Sequence, residues 1–390
     1  MLMILYPDQE RVLDQARDRL RSLKTVRKPR LMLQAPCGFG KTAIAAFIAK
    51  SAYERGKSSW FICHRDFLLS QTSQTFDSVG IPHSYMAAGR SLDPSLATQI
   101  GMIASLRSRL SKVHAPAIAI WDEAHHLAAK TWSAVVDEMP DTIHIGLSAT
   151  PCRTDKQGLD AYFDDMVLGP SVSNLISMKR LSSYHYFTPS KPDLSNVHVR
   201  MGEYVTAELD EEMNKAKIVG SIVGSYKKHA DATRAVYFAT SITTSKRYAD
   251  AFNSAGIPAQ HLDAESSPWE RKQAAIDMAM GRLKVICNVG LFGEGFDLAA
   301  HAGLPVTIET VGLCRPTKSL PLLIQQQMRC MRAKSYPGII LDHAGCYDEH
   351  DFLPDDEIEW SLKGAKRNEL IGTFQCIGCG ATLRRGSSLC

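Results

Sequence analysis

Long apolar runs are missing from this chain, and no stretch of its 390 residues could cross a bilayer as a helix. The opening MLMILYPD is apolar for only five residues before Tyr6, Pro7 and Asp8, too short for a signal peptide. Cysteine is present ten times but without a paired framework, which excludes a disulfide-stapled secreted scaffold and leads us to expect a reducing cytoplasm. Low-complexity segments and internal repeats are also absent, so a disordered linker protein and a solenoid are excluded. Charge of one sign is hardly in excess, at a net +4.

What is there has the proportions of a globular protein, 45% apolar and 22% charged, at a length that suits two domains plus an appendage. The distribution of charge is uneven. Residues 1–60 hold twelve Lys and Arg against five acids, whereas DHAGCYDEHDFLPDDEIEW carries eight acids and no Lys or Arg. Either solvated surface or a basic face for a polyanion with an acidic loop elsewhere accounts for this.

Short β-rich runs alternate with helical patterns. RLMLQA, SSWFICH, TQIGMIA, AIAIWD and TIHIGLSA read as buried parallel strands, and KTAIAAFIAKSAYERG, DFLLSQTSQTFDSVG and TWSAVVDEM as the helices between them. The pattern fades over about 188–230, which reads as a connector, and restarts with RAVYFAT, PAQHLDA and LKVICNVG. A helix at LPLLIQQQMRCMRA and a strand at PGIILDH follow. Two similar α/β lobes with parallel sheets are expected, at 1–187 and 188–345, then a polar acidic extension at 346–375 and a partial zinc-ribbon knuckle at 376–390.

APCGFGKT follows the first strand and opens a helix, the setting a phosphate loop requires. In the loop Pro36–Gly40, Gly38 and Gly40 let the backbone N–H groups that follow Pro36, including those of Cys37 and Phe39, turn toward phosphate oxygens at the helix N-terminus. Lys41 would reach the outer phosphates and the Thr42 hydroxyl would bind Mg²⁺. IAIWDEAHHL then offers a choice between a His–carboxylate metal cage and a magnesium shelf. Beside a phosphate loop the shelf is favoured: Asp122 holds Mg²⁺ and Glu123 orients and deprotonates the attacking water. Adjacent His125 and His126 are expected to point in different directions, which argues against a zinc cage.

DEAH followed by SATP (Ser148 to Pro151) resembles motifs II and III of superfamily 2 helicases, and seven motifs fall in order along nearly the whole chain. YPDQERVL resembles the Q motif, CHRDFLL motif Ia, NVGLFGEGFDL motif V and QQQMRCMR motif VI. Within the superfamily, RPTKSLPLLIQQQ, IILDHAG and the Cys-x-x-Cys tail look most like RadD-like DNA repair helicases and their phage relatives.

The resemblance implies two RecA-like lobes with ATP and Mg²⁺ between them, with Gln9 on the adenine edge and Tyr6 nearby. It implies that His64, Arg65 and Ser105 touch nucleic acid, and that Gly295 and Asp297 bridge ribose and nucleic acid. His125, Ser148, Thr150 and Gln325 couple hydrolysis to movement, while Arg329 and Arg332 deliver charge to the γ-phosphate. Those two arginines are expected on one face of a single helix. Met328 departs from the family pattern, which has Gly there. Cys376, Cys379 and Cys390 are three candidate zinc ligands, and the fourth is expected either past Cys390 in a longer natural chain or at Cys346 or His343. The implied function is ATP-dependent movement on DNA, single-stranded or forked, in repair, recombination or replication, with a replication or repair protein as partner and no membrane. An RNA helicase, a duplex translocase that never separates strands, and a nucleic-acid-binding scaffold with a weak ATPase are the other readings.

Overall fold

Apolar, β-branched and aromatic runs form thirteen of the strands in a computed structural model that describes residues 3–384 apart from 24, 26, 153–157, 201, 293–297, 368–371 and 378. In chain order these are β1 (Arg30–Gln34), β2 (Ser59–Cys63), β3 (His83–Met86), β4 (Thr98–Met102), β5 (Ile118–Trp121), β6 (Ile143–Ser148) and β7 (Asp165–Leu168). They are followed by β8 (Tyr184–Phe187), the small pair β9 (Val199–Arg200) and β10 (Glu203–Tyr204), then β11 (Ala235–Phe238), β12 (Ala259–Leu262), β13 (Val285–Asn288), β14 (Thr310–Leu313) and β15 (Gly338–Asp342). Two more hairpins close the described chain, β16 (Ile358–Ser361) with β17 (Gly364–Arg367) and β18 (Thr373–Gln375) with β19 (Thr382–Arg384).

The chain divides into two units, Met1–Ser171 with Glu357–Asn368, and Val172–Asp356 with Glu369–Cys390. The first holds a seven-stranded sheet in the order β3-β4-β2-β5-β6-β1-β7, parallel at every pairing. The second holds a six-stranded parallel sheet in the order β12-β13-β11-β14-β15-β8. Parallel sheets need cover on both faces, which is why β2, β11, β13 and β14 are buried at every position. Trp60, Trp121 and Trp132 pack in the first core. No helix among the described residues is long and apolar enough to cross a membrane.

Three expectations change. The boundary at 187 moves to 171, because β8 pairs with β15 and so belongs to the second sheet. The stretch read as a connector contains the helices Thr206–Met213 and Ala216–His229, and Ile218, Ile222 and Tyr226 of the latter are buried in the second core. The acidic stretch is built into the fold. Asp342 is buried and accepts backbone N–H bonds from Ala344, Cys346 and Tyr347, Phe352 and Leu353 are buried, and Asp355 and Asp356 pair with Arg384.

The β16–β17 hairpin returns to the first unit. Leu362 packs on that core, and its carbonyl accepts N–H bonds from Leu159 (2.5 Å) and Asp160 (3.1 Å). A Cβ on Gly158 would stand 2.3 Å from the same carbonyl oxygen, so only glycine fits.

Candidate active site

The fully buried β1 core delivers the loop Ala35–Gly40 to the carboxyl edge of the first sheet, where parallel sheets present their ligands. Gly38 and Gly40 adopt left-handed backbone, with φ of 85° and 93°, which side chains rarely tolerate. Gly40 is the N-cap of the helix Lys41–Tyr53 and supplies no side-chain cap, and an N-terminus of this kind suits an anionic ligand. Lys41 Nζ lies 3.3 Å from the Ala35 carbonyl oxygen, folded over the loop it would guard, and Thr42 follows at the helix start. Cys37 is half-buried in the turn.

Gln9 sits behind this loop. Its Nε2 donates to the Phe39 carbonyl at 2.6 Å and its Oε1 accepts from the Tyr6 N–H at 3.0 Å. A Cβ on Gly40 would be 2.5 Å from Gln9 Nε2. Both ends of the Gln9 amide are therefore held by backbone, and Gln9 braces the loop. Tyr6 is more than half exposed beside it.

β5 lies between β2 and β6, and its carboxyl end carries Asp122 and Glu123. The Asp122 N–H donates to Ile62 at 2.9 Å. Burial and the neighbouring Glu123 charge raise the Asp122 carboxyl, and Lys41 and His64 pull it back down. Glu123 has φ 46° and ψ 52°, a strained conformation for a residue with a side chain. Its Oε2 is buried with no hydrogen-bond partner, 3.4 Å from His125 Nδ1. His125 Nδ1 is also 3.1 Å from Ser148 Oγ at the end of β6, and Ser148 Oγ accepts the Thr150 N–H at 3.1 Å. Asp122, Glu123, His125, Ser148 and Thr150 thus form one connected group on adjacent strand ends. A hydroxyl and two carboxylates, one oxygen of them orphaned and buried, form the hard donor set that suits Mg²⁺ held jointly with phosphates.

Adjacent His125 and His126 do not diverge. A 3₁₀ turn over Ala124–Ala128 brings their ring centres to 4.3 Å. No group of three His, Cys, Asp or Glu arranged for a metal occurs among the described residues.

The loop after β2 holds His64 and Arg65. Arg65 occupies the N-cap position of the helix Asp66–Ser78 without capping it through its side chain, and its Nε is buried without a hydrogen-bond partner. Ser105 lies on the short helix Ile103–Leu106 after β4, its Oγ accepting the Ala88 N–H at 3.2 Å.

In the second unit the expected single helix breaks. Leu320–Gln327 is α-helical, Met328–Met331 is a 3₁₀ turn, and Arg332 lies past its end in extended backbone with ψ 147°. Arg329 and Arg332 therefore do not share a helix face. The turn is pressed against β15, where a Cβ on Gly338 would stand 2.4 Å from the Cys330 carbonyl oxygen. Met328 is 4% exposed, packed inward together with Cys330 and Met331, while Arg329 is half-buried and Arg332 exposed. Gln325 is buried on the preceding helix. Gly295 and Asp297 lie outside the described residues.

Residues 2–153 match the model of a family described as the type III restriction enzyme, res subunit. A 51.5 kDa protein of a Lactococcus phage, isolate 7-9, is 33% identical over 366 residues, 92% of this chain and 76% of that protein. A Saccharomyces cerevisiae protein that carries the name of an ATP-dependent helicase, IRC3, is 26% identical over 59% of this chain, which spans 35% of its length. The chain belongs to the superfamily 2 helicases. Among solved structures, the DNA-bound ATP-dependent type ISP restriction-modification enzyme LlaBIII matches with a TM-score of 0.61, at 16% identity over 88% of this helicase and 28% of that chain. S. cerevisiae Dbp5 bound to RNA and ADP BeF3 matches with a TM-score of 0.56, at 14% identity over 87% of both chains. The two parallel-sheet units are the RecA-like lobes of an ATP-hydrolysing helicase-family enzyme.

The zinc expectation for this helicase does not survive in the form given above. His343 is buried with Nδ1 2.7 Å from Ser190 Oγ and Nε2 2.8 Å from Ser225 Oγ, so both ring nitrogens are engaged, and burial pushes its pKa down to about 3. Cys346 is a buried thiol directed at the Arg315 carbonyl, and burial raises its pKa. Neither offers a fourth ligand. Cys376 and Cys379 flank a tight turn in which the Gly380 N–H donates to the Cys376 carbonyl at 2.8 Å, and Cys390 lies outside the described residues. Trp269 is 70% exposed at the start of the helix Pro268–Ala279. Sequence reasoning missed the bracing role of Gln9 and the position of His126. Neither carries a sequence signal, because both depend on partners from other strands.

Proposed function

We propose that this helicase couples Mg-ATP hydrolysis to movement on a DNA backbone, single-stranded or forked, in the manner of the RadD-like repair helicases it resembles. One observation carries the reading. An uncapped helix start after β1, paired carboxylates after β5 and the Ser148–Thr150 segment after β6 converge on one sheet edge, joined by His125. In this reading the Pro36–Gly40 loop, Lys41 and Thr42 hold the triphosphate, and Tyr6 lies by the base. Asp122 and Thr42 hold Mg²⁺, which when bound supplies charge to the β- and γ-phosphate oxygens. Glu123 orients the attacking water and takes its proton, its strained backbone and unpartnered oxygen keeping it aimed. Arg329 and Arg332 supply positive charge as the γ-phosphate leaves. His125, Ser148, Thr150 and Gln325 pass the change to the nucleic-acid contacts at His64, Arg65 and Ser105.

LlaBIII is bound to DNA and Dbp5 to RNA, and each shares only the fold with this chain, so the choice of DNA rests on the resemblance to the RadD-like helicases. Met328, the one feature that favours a scaffold with a weak ATPase, packs inward, and a turnover assay decides between the two readings. The test is ATP turnover by the full chain with Mg²⁺ alone and with single-stranded, duplex and forked DNA or RNA. Stimulation by single-stranded or forked DNA should exceed that by RNA, and chelating Mg²⁺ should abolish turnover. Equal or greater stimulation by RNA would overturn the choice of DNA, and preference for plain duplex would mark a translocase.

A further inference from the structure

β2 and β5 are paired neighbours, so the loop with His64 and Arg65 lies beside the turn with Asp122 and Glu123. His126 stands between them. Its ring centre is 5.2 Å from that of His64 and 4.3 Å from that of His125, with interplanar angles of 55° and 41°. Behind it is Trp132, 5.5 Å from His126 and 6.5 Å from His64, itself packed 6.0 Å from the fully buried Trp121. From His125 the path continues to Glu123 Oε2 at 3.4 Å and Ser148 Oγ at 3.1 Å. Tilted rings in contact against a rigid indole wall cannot shift one at a time, because a close-packed interior has no free space to absorb the displacement.

We propose that His126 is a positioning residue that transmits occupancy of the His64–Arg65 loop to Glu123 through His125. It thereby sets how strongly nucleic acid stimulates hydrolysis. The inference rests on the reading that this loop contacts nucleic acid. Movement of His64 displaces the His126 ring, and that ring sets the orientation of His125 toward the carboxylate. The contact is made by ring faces and edges, so shape matters more than the second nitrogen of His126.

The experiment measures basal and DNA-stimulated turnover, KM for ATP, DNA affinity and thermal stability in the full chain. It compares His126→Ala, His126→Phe, His64→Ala and the double variant His64→Ala/His126→Ala. His126→Ala should lower the stimulated rate about tenfold, because occupancy of the His64–Arg65 loop then no longer improves the positioning of Glu123. Basal turnover, KM and DNA affinity should stay near the parent. His126→Phe keeps a ring in place and should restore stimulation to within about twofold. The double variant should lose no more than the worse single variant, the signature of two residues on one path. Parent-like stimulation in His126→Ala, equal loss of basal and stimulated rates, or strictly additive losses would overturn the proposal. So would a stable His126→Phe that stays unstimulated. A parent chain that no nucleic acid stimulates would instead sink the functional reading, and this inference with it.

Discussion

Two helices that each follow a parallel strand show how one architecture yields a reactive edge in one lobe and a quiet one in the other. After β1 the helix Lys41–Tyr53 begins at Gly40, in left-handed backbone and without a side-chain cap. After β11 the helix Ile242–Ser254 begins at Ser241, whose Oγ accepts the Thr244 N–H at 3.2 Å. Thr244 Oγ1 donates to Asp210 Oδ1 at 2.9 Å and Thr240 bonds the same carboxylate. The second helix start is capped by a side chain of its own chain. The first has no side-chain cap, and a helix N-terminus of that kind is the proposed site for phosphate. In the proposed reading the nucleotide chemistry uses this uncapped start together with Glu123, whose Oε2 is buried without a hydrogen-bond partner.

Removing that chemistry should have the largest effect. Glu123→Gln should cut turnover by about a thousandfold with ATP binding retained, whereas Lys41→Ala should weaken binding itself. Turnover assayed beside nucleotide binding checks this, and a parent-like rate in Glu123→Gln would mean that the strained carboxylate serves another purpose. Next come the arginines of the second lobe. Arg329→Ala and Arg332→Ala should each lower turnover about a hundredfold while changing ATP affinity little, because their charge acts mainly in the transition state. Since Arg332 lies in extended backbone past the 3₁₀ turn, Arg332→Lys should not rescue it if a fork geometry is needed.

A smaller change is expected from closing the open cap. Gly40→Ser forces a side chain into left-handed backbone and against Gln9, and should weaken ATP binding at least about tenfold. Titration with a fluorescent nucleotide measures it, and unchanged affinity would show that the uncapped start is not the phosphate site. The smallest effect is the mirror experiment. Ser241→Ala should cost about 1 kcal/mol of stability by loss of a cap and leave turnover intact. Chemical denaturation and a turnover assay together decide it, and loss of activity would show that the second helix start is not a quiet one.

Much of both sheets was legible because buried strands carry contiguous apolar residues: RLMLQ, SWFIC and VICN are short runs between helical patterns. β3, β7 and β8 were not, since HSYM, DMVL and YHYF mix polar and apolar residues at sheet edges or next to them. The helix over 320–333 was half legible. Its apolar period continues through Met328 and Met331, and only the close packing of the turn on Gly338 tightens it into a 3₁₀ turn and releases Arg332. The contiguous motifs are legible as local patterns, whereas contacts made across the fold are not: the place of the His126 ring against His64 and the bond of Gln9 to Phe39 appear only in the structure.

The sequence by itself determined the two α/β layers, the phosphate loop and the Asp122–Glu123 pair, because periodicity and loop chemistry are properties of neighbouring residues. Tertiary structure alone decided that the hairpin Ile358–Arg367 completes the first lobe, that Gln9 braces Gly40, and that His126 lies between His64 and His125. These contacts join residues distant along the chain or brought together by a turn, and they form only when close packing forces such groups into the same space.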